Sequence, residues 1–318
     1  MDWQEELISI YLTICKIYKQ QAVYYMGRLS HYVDLSFSDE EVMTIYIMGI
    51  LEGKSCVKTI YEHASHHWRS WFPKLPSYVA FVQRINKLST LFSPIIEALH
   101  QDIPLSLRYP QLPRVMDSMP IILAHRGRRF TAKVAPEIAT ANGYCPTKKL
   151  HYYGIKLHVL ASYSKGSLPL PEYFGITEAG ISDIRVYEDI APHLPQSTQL
   201  FADKAYQTQN NPVADKENHT LLTPVKKAKG QTALDSKDKL LSSAISTVRQ
   251  PIESFFNWLE QKTYCNCHLR DTDKKNKVAL EVVDARVSTD SKTKRSEGNE
   301  VLRRVRCITG RDVCKYHR

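Results

Sequence analysis

The stretch QLFADKAY, residues 199–206, looks like a buried strand that ends in charged residues. Strands of this kind usually close on a turn residue such as Gly, Asn or Pro. Here three apolar residues, 200–202, are followed directly by Asp203 and Lys204. Because α/β folds place their functional groups at the edge where strands end, the pattern predicts a functional carboxylate there.

The overall charge of the 318 residues suggests a polyanionic partner, since the net charge is +10 and the pI is about 9.1. Residues 270–318 carry six of those ten charges, so the argument depends on whether this tail is part of the working protein. Seven scattered cysteines, an odd number, indicate reduced thiols. An acidic start and short apolar runs predict a cytoplasmic protein without a membrane partner.

Residues 1–105 show helical periodicity and are interpreted as a helical DNA-binding domain. Ser38 and Glu41 form a capping box before one apolar helix. Further on, the pattern predicts a helix over 57–65, a proline-bearing break, and a second helix that starts at Ser77. Its inward positions would be Val79, Val82, Ile85 and Leu88, and its outer face Gln83, Arg84 and Lys87. This resembles a helix-turn-helix reader, although ordinary bundle helices fit the pattern equally well.

From about Arg114 the periodicity changes to that of strands. Strands are predicted over 112–124, 151–163, 170–176 and 219–226, in addition to the strand that ends at Asp203. Helices are predicted over 184–193 and, with a long amphipathic pattern, over 243–263. This order indicates a mixed α/β or α+β domain.

Three carboxylates lie among apolar neighbours, Asp117 and Asp203 on strands and Glu253 on the late helix. A buried acid is costly unless it is paired or binds a cation, so each is a candidate site residue. Taken singly, each could be a helix cap or a salt-bridge partner. Together they are the residues needed to hold two Mg²⁺ ions for phosphoryl transfer.

Four blocks resemble, in order, those of DDE-type transposases from bacterial insertion sequences: MDSMPI, NGYCPTKKLHYYGIKLHVL, FADKAY and RQPIESFFNWLE. The resemblance covers about residues 38–263. It implies a ribonuclease-H-like α/β core, a mixed sheet with flanking helices, over residues 106–265. It also implies that Asp117, Asp203 and Glu253 are the catalytic, metal-binding triad, with two Mg²⁺ ions for which Mn²⁺ can substitute.

The resemblance implies a function on double-stranded DNA. A transposase of this kind nicks the ends of its element and joins the 3′-hydroxyl ends to target DNA. Bringing two ends together requires at least a homodimer on DNA, in the bacterial cytoplasm at the nucleoid. Three alternatives stay open: a catalytically decayed protein that still binds DNA, a nuclease without strand transfer, and a regulator that uses only the amino-terminal helices.

Several basic residues are expected to contact DNA. Arg249 lies one turn before Glu253 on the same helix face, where it could hold a phosphate bidentately. The family's tyrosine and lysine near this block are replaced by Ser246 and Glu260, with Lys262 the nearest base. The other candidates are Lys204 and Tyr206 beside Asp203, the loop residues Arg126, Arg128 and Arg129, the strand-flanking Lys148, Lys149 and Lys156, and the helical Arg84 and Lys87.

Other polar residues are interpreted as structural. Glu178, Asp183 and Asp189 are rival acids that we expect on a solvated surface, and His151 and His158 are expected to be structural. The cysteines and histidines after residue 264 fit no standard zinc spacing. Residues 266–318 lose the apolar periodicity, which suggests a disordered tail or one produced by a shift of reading frame near Cys265.

Overall fold

The computed structural model of the chain describes two compact units, one helical and one built on a sheet. The helical unit comprises the described residues up to 99 together with 259–263, and the sheet unit comprises those from 112 to 258. No helix among the described residues is long and apolar enough to cross a membrane. The described residues are 2–25, 36–54, 56–88, 91–92, 95–96, 98–99, 112–133, 136, 139–145, 149–207, 212–227 and 229–263.

In the described part of the helical unit, four helices of 11 to 23 residues surround an apolar core. These are α1 (Trp3–Tyr25), α2 (Asp39–Leu51), α3 (Val57–His67) and α4 (Tyr78–Leu88). The predicted capping box is confirmed at the start of α2, where the Ser38 hydroxyl accepts from the Glu41 amide and the Glu41 carboxylate accepts from the Ser38 amide. Sequence alone therefore located this helix start.

The connection between α3 and α4 differs from the short turn of a helix-turn-helix motif. Residues 68–77 separate the two helices, whereas the motif uses about three or four residues. Trp68 and Phe72 in this connection are buried in the core, which anchors the segment. The inward positions of α4 are Phe81, Ile85 and Leu88, while Val79 is 63% exposed, so the prediction that Val79 points inward is wrong. The register of the helix, set by Phe81, turns Val79 to solvent.

Over the residues that the structure describes, the sheet unit contains seven strands, an eight-residue helix and most of a 28-residue helix. The strands are β1 (Arg114–His125), β2 (Asn142–Cys145), β3 (Leu150–Ser162), β4 (Leu170–Glu178), β5 (Thr198–Ala202), β6 (Val213–Asp215) and β7 (His219–Leu222). The helices are α5 (Asp183–Ile190) and α6 (Ser236–Thr263). The short strands β2 and β6 were not predicted, since three or four residues show too little alternation to be recognised.

The topology is that of the expected ribonuclease-H-like mixed sheet. The strand order is β2-β3-β1-β5-β7-β6, and β4 pairs with β3 as well. Strand β3 runs antiparallel to both of its neighbours β1 and β4, while β5 runs parallel to both β1 and β7. Because β1 lies between β3 and β5, its successive side chains project alternately to the two faces of the sheet.

The register of β1 and β5 explains why a strand ends in a charged residue at position 203. Met116 is paired with Ala202 in the parallel ladder, so Asp117 and Asp203 follow at the same level of neighbouring strands. Strand β5 ends at Ala202, and a short 3-10 helix covers Lys204–Tyr206. The strand therefore delivers its carboxylate beside the one on β1.

A close approach of two backbones fixes β3 against β1. Gly154 on β3 faces an irregularity in the β1 ladder between Ile122 and Ala124. A Cβ atom on Gly154 would overlap the carbonyl oxygen of Ile121. Only glycine fits this position without moving the central strand.

Candidate active site

Asp117 occupies a half-buried position in the middle of the central strand. Its side chain is 19% exposed, and its Oδ1 accepts a hydrogen bond from the Ser118 amide at 2.8 Å. Burial raises the pKa of Asp117 to about 7, and the nearby Asp203 and Asp183 carboxylates add to the rise. Arg249 and the Ser118 amide act in the opposite direction. The position therefore disfavours a bare negative charge.

A guanidinium group joins Asp117 to Glu253. Arg249 donates from Nη1 to Asp117 Oδ2 at 2.6 Å and from Nη2 to Glu253 Oε1 at 2.6 Å. Arg249 and Glu253 are four residues apart on α6, so they share one helix face. The side chain of Arg249 is 16% exposed, whereas that of Glu253 is 55% exposed. We call Asp117, Arg249 and Glu253 the α6 network.

Asp203 is half-buried beside this network. Its charge raises the pKa of Asp117, which shows that the two carboxylates are close enough to repel each other. Within the described part of the chain, no group of three or more acids, histidines or cysteines is gathered closely enough to hold a metal ion. The structure thus brings Asp117 and Glu253 together through Arg249, with Asp203 on the adjacent strand, rather than as three converging ligands.

The opposite face of β1 carries a second charged network. The Ser118 hydroxyl donates to Asp183 Oδ1 at 2.9 Å, and the Lys156 ammonium donates to the same oxygen at 3.1 Å. Lys156 also donates to the Ile181 carbonyl at 2.8 Å. We call Ser118, Lys156 and Asp183 the α5 network, since Asp183 is the first residue of α5.

The α5 network differs from the sequence-based expectation for Asp183. Asp183 was expected on a solvated surface, but its side chain is only 19% exposed and is paired with Lys156. Lys156, which was predicted to contact DNA, has its ammonium engaged within the protein and a side chain that is 17% exposed, and its DNA contact stays a prediction. Local periodicity does not show the packing of α5 on β1 and β3, because that packing is tertiary.

Two buried rings lie on the same face as the α5 network. His158 is fully buried, with Nε2 at 2.8 Å from Thr177 Oγ1, and burial lowers its pKa to about 4. This agrees with a structural role. Tyr206 is also fully buried, and burial raises its pKa well above the usual value, with Asp117 adding to the rise. The ring of Tyr206, which was predicted to contact DNA, packs in the core with residues of α5, and the DNA contact stays a prediction.

Arg84 and Lys262 are occupied within the helical unit. Arg84 donates to the buried Asp39 carboxylate, with Nε at 3.2 Å, and to the Phe37 carbonyl. The guanidinium of Arg84 thus neutralises a buried acid in this structure, and its predicted contact with DNA stays a prediction. Lys262, the base nearest to the family's missing lysine, donates from Nζ to the Leu51 carbonyl at 2.6 Å.

Of the remaining predicted DNA contacts that are described, four are exposed and Arg129 is half-buried. Lys87, Lys149, Lys204 and Arg128 all lie on the surface. Arg129 stacks over Phe130, with its guanidinium carbon 4.4 Å from the ring centre. Lys148 and the side chain of Arg126 lie outside the described residues, as does the whole of the tail from residue 264, including Cys265.

One buried ion pair was missed by the sequence analysis. Arg114, 2% exposed, donates from Nε to Glu172 Oε2 at 2.8 Å, joining β1 to β4. Arg114 also donates to Thr198 Oγ1 at 3.3 Å. The predicted strand over 112–124 contains this arginine, but its buried partner could not be predicted from the pattern. The pair cross-links β1 and β4 three residues before Asp117.

Comparison with protein families bears on the same residues. A family model described as Transposase DDE domain matches residues 112–273, more than half of the chain. The chain belongs to this family. No curated protein and no solved structure matches it. The matched segment of this DDE-type transposase contains both networks and Asp203, and it continues past Cys265 to residue 273. Transposases act on DNA, and members of this family generally use divalent metal ions.

Proposed function

We propose that this transposase nicks the ends of an insertion sequence and joins the resulting 3′-hydroxyl ends to target DNA by two-metal-ion phosphoryl transfer. The observation that carries the proposal is the α6 network, in which one cation spans Asp117 and Glu253 beside Asp203. Acids held this way attract positive charge.

The residues at this position fit a divalent metal. The carboxylate oxygens of Asp117, Asp203 and Glu253 are the type of ligand that Mg²⁺ prefers, and Mn²⁺ accepts the same set. The raised pKa of Asp117 reflects a carboxylate that a nearby cation would keep ionised. When bound, two such ions would activate the attacking water or 3′-hydroxyl and would stabilise the leaving oxygen.

The chain's own basic residues would position the DNA. Arg249, once released from the two acids, can hold a phosphate with two parallel hydrogen bonds. Lys204 is exposed directly after Asp203, where it can contact the backbone near the reacting phosphate. Lys149 and Arg128 in the sheet unit and Lys87 in the helical unit are further candidates for phosphate contacts. Lys148, Arg126 and Arg129 remain predictions of the same kind.

The proposed assembly follows from the reaction. Residues 1–105 serve as the DNA-binding domain and residues 106–265 as the catalytic domain, while residues 266–318 form an appended basic tail. Joining two ends to one target requires two catalytic sites, so the working form is a homodimer or larger on double-stranded DNA. We place this reaction in the bacterial cytoplasm, at the nucleoid.

The test is cleavage and strand transfer on labelled DNA that carries the ends of the element, with and without Mg²⁺. The Asp203→Asn and Glu253→Gln variants should lose both reactions and keep binding to the ends, because each removes one carboxylate charge without changing side-chain size. Absence of Mg²⁺-dependent cleavage in the parent protein, with binding to the ends intact, would instead identify a decayed transposase that survives as a DNA-binding protein.

A further inference from the structure

Arg249 occupies one oxygen of each of two carboxylates, Asp117 and Glu253, that the proposed metal ions would use. One of its terminal nitrogens lies 2.6 Å from Asp117 Oδ2 and the other lies 2.6 Å from Glu253 Oε1. Charge-assisted hydrogen bonds of this length are strong, and the planar guanidinium can serve two acids at once. A metal ion and this guanidinium cannot use the same oxygens together.

The pairing of Arg249 is nevertheless incomplete. Its Nε atom is buried and has no hydrogen-bond partner among the described residues. A buried donor without an acceptor costs free energy that a better set of acceptors would recover. A DNA phosphodiester offers two charged non-bridging oxygens, each of which can accept more than one hydrogen bond, so Arg249 gains by moving from the acids to DNA.

We propose that Arg249 acts as an internal counterion that competes with divalent metal for Asp117 and Glu253, and that DNA phosphate relieves the competition by drawing Arg249 away. This inference rests on the proposed function and adds its regulation: the metal site would be weak in the free protein and strong once DNA is bound. Such coupling would limit metal-dependent cleavage to the assembled complex.

The expected size of the effect follows from competition. If the guanidinium spans the two acids about nine-tenths of the time, the apparent metal affinity of the free protein is reduced about ten-fold. Removing the bridge should raise the apparent metal affinity of the free protein about ten-fold. The bridge requires two nitrogens held in one plane, so lysine, which is a compact point charge, cannot replace it.

The experiment measures Mn²⁺ binding to the full-length, DNA-free protein from the electron paramagnetic resonance signal of the unbound ion. The variants are Arg249→Lys, which keeps the charge but breaks the bridge, and Arg249→Gln, which removes both. Lys237→Gln is the matched control, since it removes one charge from an exposed position on the same helix, about 18 Å away at 1.5 Å per residue. Circular dichroism confirms that each variant is folded.

The proposal predicts that Arg249→Lys and Arg249→Gln both bind Mn²⁺ about ten-fold more tightly than the parent, while Lys237→Gln does not. It is overturned if Arg249→Lys binds like the parent, because then only net charge matters, or if neither variant tightens binding. Asp117→Asn and Asp203→Asn separate this failure from that of the proposed function. If both bind Mn²⁺ as well as the parent does, the acids are not the metal site, and both proposals fall.

Discussion

The two faces of strand β1 carry similar charged networks that differ in how completely their donors are used. In the α5 network the lysine has a second acceptor, the Ile181 carbonyl, besides the Asp183 carboxylate. In the α6 network one N–H of Arg249 is buried without an acceptor in the described residues, and Glu253 is more than half exposed. The Lys156 ammonium is therefore held by two acceptors within the protein, whereas the Arg249 guanidinium can still exchange its partners.

The completeness of pairing distinguishes the structural α5 network from the functional α6 network, whereas the types of residue in the two networks do not. Each network contains an acid from the sheet or a helix start and a long basic side chain. Only the α6 network lies beside a third acid, Asp203, on a neighbouring strand end. Incomplete pairing near an exposed carboxylate is therefore the feature that indicates chemistry, and the following predictions test it.

The largest difference should be seen in DNA cleavage. Glu253→Gln should reduce the Mg²⁺-dependent cleavage rate about a thousand-fold, since metal ligation supplies several kcal/mol of transition-state stabilisation. The matched change in the other network, Asp183→Asn, should stay within about ten-fold of the parent, because it alters support rather than ligation. Rates on labelled element ends, compared at equal folded fraction, measure both. Equal losses in the two variants would remove the functional distinction between the faces.

A change that disturbs both faces together should have the next largest effect. Gly154→Ala introduces a methyl group against the Ile121 carbonyl, which forces the central strand to move. We expect a loss of at least about 3 kcal/mol in the free energy of unfolding. Gly127→Ala is the control, because its added methyl group meets nothing within 4 Å. Chemical denaturation of both variants gives the comparison, and a stable Gly154→Ala protein would contradict the close approach.

His158 should make the α5 face sensitive to acid. Its folded pKa of about 4 is below the value of 6.5 in the unfolded chain, so the unfolded state binds more protons between these pH values. Stability from this residue is present above pH 6.5 and is lost as the pH falls towards 4, by on the order of 3 kcal/mol.

The surroundings of His158 define the control for that prediction. Burial lowers its pKa most, the Asp183 carboxylate opposes this, and the Lys156 ammonium adds to it, while Thr177 pairs with Nε2. Denaturation of the parent and of His158→Gln at pH 7 and pH 4.5 isolates the effect of the ring. If both proteins lose stability equally on acidification, His158 is not the acid-sensitive group.

The smallest predicted effect is the loss of stability when the basic residue of either network, Lys156 or Arg249, is replaced. Lys156→Met should cost about 2 kcal/mol of unfolding free energy, because it leaves the Asp183 carboxylate half-buried without a cation. Arg249→Met should cost less than about 1 kcal/mol, since Glu253 is exposed to water and Asp117 can take up a proton. Thermal and chemical denaturation at pH 7 measure both. If Arg249→Met loses more unfolding free energy than Lys156→Met does, the α6 network is the one that stabilises the fold.

The features of the fold and of the candidate site that depend on local sequence could be predicted. The Ser38–Glu41 capping box located the start of α2, and the apolar runs located the strands that carry Asp117 and Asp203. The four-residue spacing of Arg249 and Glu253 placed them on one helix face. These features depend on neighbours in the chain.

The remaining features depend on contacts between distant residues. The hydrogen bond from Arg249 to Asp117 joins positions 132 residues apart, and that from Lys156 to Asp183 requires α5 to pack on the sheet. Tyr206 follows a functional acid closely, yet the 3-10 helix after β5 turns its ring into the core. Local periodicity contains no information on these placements, which is why Asp183 was misassigned and the burial of Tyr206 was not predicted.

The most direct test of the metal-binding triad is a crystal structure of the protein bound to the ends of its element in Mn²⁺, with the metal located by anomalous scattering. The account predicts anomalous peaks in contact with Asp117, Asp203 and Glu253, and the Arg249 guanidinium on a phosphate instead of on the acids. Mn²⁺ bound elsewhere, or Arg249 still joining Asp117 to Glu253 in the DNA complex, would contradict it.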